Sequence, residues 1–127
     1  MKIKVFTDIE QSRKLAEILP LESSDMFYFC SPFDEEYFKN PRFGIAEHTT
    51  NEIPCWSLAA LFKVIPVILD RAGKKYRLRM DESEEDFDIW YEEMDMGIAQ
   101  LDLDVIAPNM VDACVAMIEK LHNEKLL

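Results

Sequence analysis

Between Pro54 and Pro66 the chain reads Pro-Cys-Trp-Ser-Leu-Ala-Ala-Leu-Phe-Lys-Val-Ile-Pro, and Lys63 is the only charge in the run. Leu58, Leu61, Phe62 and Ile65 recur at the spacing of one helix face, while Trp56, Ala59, Ala60 and Val64 fill much of the remaining circumference. Only burial on several sides suits such a helix. Pro54 fits a first helical position, where its missing N–H costs nothing, and Pro66 stops the run because the residue before a proline avoids the α region. The expectation is a helix of about three turns around which the other elements pack.

The flanking segments supply those elements. Ile3 and Val5 alternate with Lys2 and Lys4, the pattern of a short strand or of an extended lead-in. Thr7 with Glu10 three residues on has the form of a capping box, opening a helix with Ile9, Ser12, Leu15, Ala16 and Leu19 on one stripe and Pro20 at its end. Met26-Phe27-Tyr28-Phe29-Cys30 reads as an aromatic strand, and Arg42 to Ala46 as its partner in a loose hairpin. After a turn at Arg71-Ala72-Gly73-Lys74, Tyr76, Leu78 and Met80 alternate with Lys75, Arg77 and Arg79. Phe87, Ile89 and Tyr91 then alternate with Asp88, Trp90 and Glu92, so the two runs form an antiparallel hairpin across Asp81 to Asp86. That pairing sets the Lys75, Arg77 and Arg79 row beside Asp88 and Glu92.

Leu101, Leu103 and Val105 alternate with Asp102 and Asp104, as a strand or an extended loop would. Beyond Pro108, Asn109 caps a last helix with Asp112 at its third position and Val111, Cys114, Val115, Ile118 and Leu121 on its apolar face. The order is α-β-β-α-β-β-α. An α+β fold follows, one domain over residues 1–127, with a mainly antiparallel sheet and helices packed on one face. Two α-β-β units sharing one sheet account for the similar endings Ile18-Leu19-Pro20 and Val64-Ile65-Pro66.

Three of these stretches, Thr7 to Ser23, Pro54 to Leu61 and Asp112 to Leu121, resemble an uncharacterised family of small acidic proteins from gut Bacteroidetes, often carried in prophage or other mobile-element settings. The resemblance spans roughly half the chain. It implies a bacterial origin and carries over no catalytic residue.

The formal net charge of −11 repels phosphates and anionic lipid, which disfavours direct nucleic-acid binding through a basic patch and attachment to a membrane surface. A hydrophobic fraction of 49% still supports a packed core rather than disorder. Cys30, Cys55 and Cys114 are far apart and form no C-x-x-C pair, as buried thiols in a reducing cytoplasm would be. The N-terminal residues lack the apolar stretch of a signal peptide, and no run reaches membrane-spanning length.

Candidate chemistry is sparse. The carboxylates of Asp81 to Asp86, with Asp88, Glu92, Glu93 and Asp95, are of the type that binds Ca²⁺ or Mg²⁺, but their spacing is not that of an EF-hand loop and reads as a solvated hairpin turn. His48 and Cys55 are the residue types of a Cys-His nucleophile, and with the acidic hairpin they define the alternative of a small metal-dependent or Cys/His hydrolase. No glycine-rich phosphate loop and no G-x-S-x-G or H-E-x-x-H pattern occurs. No cofactor, metal or catalytic residue is therefore expected. The aromatic residues Trp56, Trp90, Tyr91 and Tyr37 are of the kind that anchor interfaces. With the acidity, they point to a non-enzymatic cytoplasmic accessory protein of a mobile element or prophage, acting through a homodimer or a basic protein partner.

Overall fold

The computed structural model describes residues 3–29, 40–47 and 51–127. It is an α+β fold with helices α1 (Ile9–Ile18), α2 (Leu58–Val64) and α3 (Met110–Asn123). The strands are β1 (Met26–Phe29), β2 (Arg42–Phe43), β3 (Glu52–Cys55), β4 (Ile68–Arg71), β5 (Lys74–Glu82), β6 (Phe87–Glu93) and β7 (Ala99–Ala107). All strand pairing is antiparallel, but the strands make two sheets rather than one shared sheet. The chain divides into two compact units, Val5–Lys63 and Met1–Lys4 with Val64–Leu127.

The Val5–Lys63 unit holds the sheet ordered β2-β1-β3. Asp8 caps α1: its carboxylate accepts from the Gln11 N–H at 2.8 Å, and the Gln11 side chain returns the bond to the Asp8 N–H at 3.1 Å. The capping box thus lies one residue later than the Thr7–Glu10 pattern suggests. Thr7 is fully buried instead, its hydroxyl bonded to Ser12 Oγ at 2.8 Å and to the Trp56 N–H at 3.1 Å. Tyr28 Oη donates to the Thr7 carbonyl at 2.7 Å, so the polar atoms of this core satisfy one another.

The Pro54–Pro66 run is not one helix. Its first residues belong to β3, where Pro54 stands opposite Phe27 on an edge strand that tolerates a missing N–H. Trp56 turns the corner fully buried, its indole donating to Ser23 Oγ at 3.0 Å. The helix begins only at Leu58; Ala60 and Leu61 are buried while Ala59 and Lys63 face solvent. The apolar composition that suggested burial all round is thus shared among a strand, a corner and a two-turn helix.

The other unit carries the sheet ordered β4-β5-β6-β7, with α3 packed on β6 and β7. The alternation in β6 resolves as expected: Phe87, Ile89 and Tyr91 are buried, while Asp88, Trp90 and Glu92 take the other face. Leu103 and Val105 of β7 are buried beside Val111, Cys114, Val115, Ile118 and Leu121 of α3. Asn109 caps α3 as its sequence suggests, accepting from the Asp112 N–H at 2.9 Å. The β4–β5 hairpin closes through Ala72 and Gly73 at φ of 54° and 80°, the two left-handed positions of a tight two-residue turn.

Leu101 departs from the β7 alternation. Trp90 pairs with Asp104 and Glu92 with Ala99, so Tyr91 alone spans Gln100 to Leu103 and the excess chain bulges outward. Leu101 is consequently 87% exposed.

Candidate interaction face

Strand register decides which side chains share the open face of the four-stranded sheet. Asp81 of β5 lies directly opposite Asp88 of β6. Ile106 of β7 lies opposite Asp88, and Asp104 opposite Trp90, which makes Asp88 and Asp104 diagonal neighbours. Asp88 thus has a carboxylate neighbour on the strand to either side, an arrangement that like-charge repulsion opposes. The row of Lys75, Arg77 and Arg79 does meet Glu92: Arg77 is its cross-strand partner, and Arg79 Nε lies 3.6 Å from its carboxylate. Asp88, however, faces Asp81 rather than a cation.

The environment of this acidic group is partly dry. Asp88 Oδ1 and Asp104 Oδ1 are shut off from water and receive no hydrogen bond from any described residue. Loss of hydration, then the neighbouring Asp104 and Asp81 carboxylates, push the Asp88 carboxyl up to about 6.

Beside them is a cavity of about 190 Å³ lined by Asp81, Ser83, Asp86, Asp88 and Ile106. Its rim is held by the hairpin turn, where the Ser83 N–H donates to the Asp86 carbonyl at 2.9 Å and the Asp86 N–H to Ser83 Oγ at 3.1 Å. Ile106, 64% exposed, forms an apolar wall. Trp90 stands half-buried between Arg79 and Asp104, with its indole N–H 3.3 Å from Glu92 Oε2. Carboxylates beside an apolar wall and an indole face match the two parts of a lysine or arginine side chain, its charged head and its alkyl stem.

Of the aromatic anchors suggested by sequence, Trp90 alone is at a surface among the described residues. Trp56 and Tyr91 are fully buried, because each indole or phenol finds a partner inside; Tyr91 Oη donates to the Pro66 carbonyl at 2.5 Å. Tyr37 lies outside the described residues, as do Cys30 and His48 of the thiol and Cys-His readings. Cys55 is fully buried, 3.5 Å from Thr7 Oγ1, and burial raises its thiol above the ordinary range. Burial pushes the Cys114 thiol up to about 12. Neither environment favours the thiolate that a nucleophile requires. Among the described residues no three His, Cys, Asp or Glu side chains are grouped to hold a metal ion.

The part played by Asp104 was hidden in the sequence. Its parity with Asp102 was visible, but its proximity to Asp88 depends on β7 lying beside β6 and on the bulge that sets their register. No family model, curated protein or solved structure matches the chain.

Proposed function

We propose that this chain is a non-catalytic accessory module that binds a cationic segment of a protein partner on the open face of the four-stranded sheet. The observation that carries the reading is the placing of Asp81 and Asp104 on either side of Asp88, on a face that also carries Trp90 and Ile106. Clustered carboxylates repel one another, and a bound lysine or arginine relieves that repulsion while its stem covers the apolar wall. The net charge of −11 adds long-range attraction for such a partner. A cytoplasmic setting in a prophage or mobile element rests on the resemblance of three stretches to small acidic proteins found there.

The test is a fluorescence and calorimetric titration with a ten-residue peptide rich in arginine and lysine, beside an acidic peptide of equal length. Saturable binding of the basic peptide, weakened at least tenfold in Trp90→Ala and absent for the acidic peptide, is the expected result. Equal affinity in wild type and Trp90→Ala would reduce the interaction to unspecific attraction by net charge and refute the proposal.

A further inference from the structure

The hydrogen-bond ladders fix which main-chain groups of β7 face outward. In an antiparallel sheet the N–H and C=O of one residue point to the same neighbouring strand, and successive residues point to opposite neighbours. On the β5 side of β6, the Asp86 carbonyl accepts from the Ser83 N–H at 2.9 Å and the Met94 N–H donates to the Lys75 carbonyl at 3.0 Å. On the β7 side, the Glu93 N–H donates to the Ile98 carbonyl at 2.8 Å. Even-numbered residues of β6 therefore bond to β5 and odd-numbered ones to β7. Ile89 is paired with Val105 and Phe87 with Ala107, so Val105 and Ala107 bond back to β6, and the main-chain groups of Asp104 and Ile106 point out from the sheet. β7 is an edge strand, and among the described residues nothing bonds to those groups.

We propose that this edge is a strand-addition site, where the cationic segment of the partner pairs antiparallel with Leu103 to Ala107 and extends the four-stranded sheet by one strand. The site rests on the open face being the partner's seat, and it adds how the segment lies and what order of residues it needs. A residue opposite Asp104 or Ile106 exchanges main-chain bonds with it and shares its face of the sheet. The segment therefore places a lysine or arginine opposite Asp104 and an apolar residue two positions earlier, opposite the exposed Ile106. Asp104 is open to such a cation, because Arg71 is engaged by Asp102 and Arg79 by Glu92. The bulge beside Leu101 bounds the site on one side, and Pro108, which has no N–H to offer, on the other. Charged side chains and bulges guard natural edges against pairing with further copies. Here the guard has one sign: Asp104 and the net charge of −11 repel a second copy and admit a cationic strand.

Calorimetry with the capped peptide Val-Thr-Arg-Thr-Val-Thr-Arg-Thr tests the edge, beside one version N-methylated at its valines and arginines and another N-methylated at its threonines. In the proposed pairing the valine and arginine N–H groups face β7 and the threonine N–H groups face away. Methylation at valine and arginine is therefore expected to weaken binding at least about tenfold, and methylation at threonine less than about threefold. Hydrogen exchange of the Asp104 and Ile106 amides is expected to slow when the unmodified peptide binds. Equal affinity of the two methylated peptides, or binding without that protection, would overturn strand addition and leave cation binding on the open face standing. Binding of the arginine- and lysine-rich peptide alone would do the same. Failure of every one of these peptides to bind would overturn both readings. Protection of the Asp104 and Ile106 amides that grows with protein concentration in the absence of peptide would assign the edge to a second copy and also overturn the proposal.

Discussion

Arg71 on one edge strand and Asp102 on the opposite edge strand meet through both prongs of the guanidinium, Nη1 to Oδ1 at 3.1 Å and Nη2 to Oδ2 at 2.6 Å. The same guanidinium reaches Glu124, at the end of α3, at 3.6 Å. The four-stranded sheet is therefore curled enough for one side chain to tie β4 to β7 across two intervening strands. This tie hydrogen-bonds and lowers the Asp102 carboxyl, and it raises the arginine in return.

Removing the fork is expected to loosen the sheet more than an ordinary surface pair does. Because Asp102 is half exposed, screening limits the coupling between Arg71→Ala and Asp102→Asn in a double-mutant cycle to about 1 kcal/mol. Arg71→Lys keeps the charge, loses the two-pronged geometry and is expected to retain less than half of that coupling. Urea denaturation of the four proteins measures it, and a coupling indistinguishable from zero would show the tie to be incidental.

Ala72 holds φ of 54° in the β4–β5 turn, a conformation that costs a side chain with a Cβ about 1 kcal/mol and suits asparagine or glycine better. Ala72→Asn, which creates an Asn-Gly turn with Gly73, is expected to stabilise the chain by about 0.5–1 kcal/mol. A lowered midpoint in thermal unfolding would contradict this.

The two tryptophans separate core from surface. Trp56 is fully buried with its indole bonded to Ser23, so Trp56→Ala is expected to cost about 3–5 kcal/mol. Trp90→Ala, on the open face, is expected to cost about 1 kcal/mol. Acrylamide quenching checks the same contrast without a fold-disrupting change: a Trp56→Phe protein should retain a quenchable indole, and a Trp90→Phe protein a shielded one.

Stability follows pH in opposite senses for two carboxyls. Asp88 is raised to about 6 in the folded chain, above its unfolded value, so folding takes up a proton there. Its contribution is fully present below the unfolded value of about 4 and is lost as pH rises through about 6. Asp102 is lowered by Arg71, so its contribution is present above about 4 and is lost as pH falls through the depressed value. The unfolding midpoint is therefore expected to rise as pH falls from 7 to 5 and to drop again in stronger acid. Asp88→Asn should flatten the first slope, and Asp102→Asn the second. A midpoint that falls steadily from pH 7 downward would be inconsistent with the placement of Asp88.

How far the sequence showed this fold depended on whether the signal was local. Asn109 with Asp112, and the strict alternation from Phe87 to Glu92, fix a helix start and a strand face by short-range geometry alone, and both stand in the structure. Pro54 and Cys55 read from local pattern as the start of the central helix, and they lie in β3 instead, because an apolar run that short suits an edge strand equally and only pairing with β1 decides. Ile68 to Arg71 lay against Pro66 and the turn, too short to announce a strand until Leu69 paired with Tyr76. For the candidate face, Trp90 and the acidity of the hairpin were visible. The meeting of Asp88 with Asp104 was not, since it arises from strand order and a bulge rather than from spacing along the chain.

Chemical-shift mapping with the basic ten-residue peptide is the most direct measurement of whether the open sheet face is a binding surface. Shifts concentrated on Asp88, Trp90, Asp104 and Ile106, with the Trp56 indole unmoved, are the expected result. Shifts confined to the exposed turn from Ser83 to Asp86, or scattered over the acidic surface without Trp90, would contradict it.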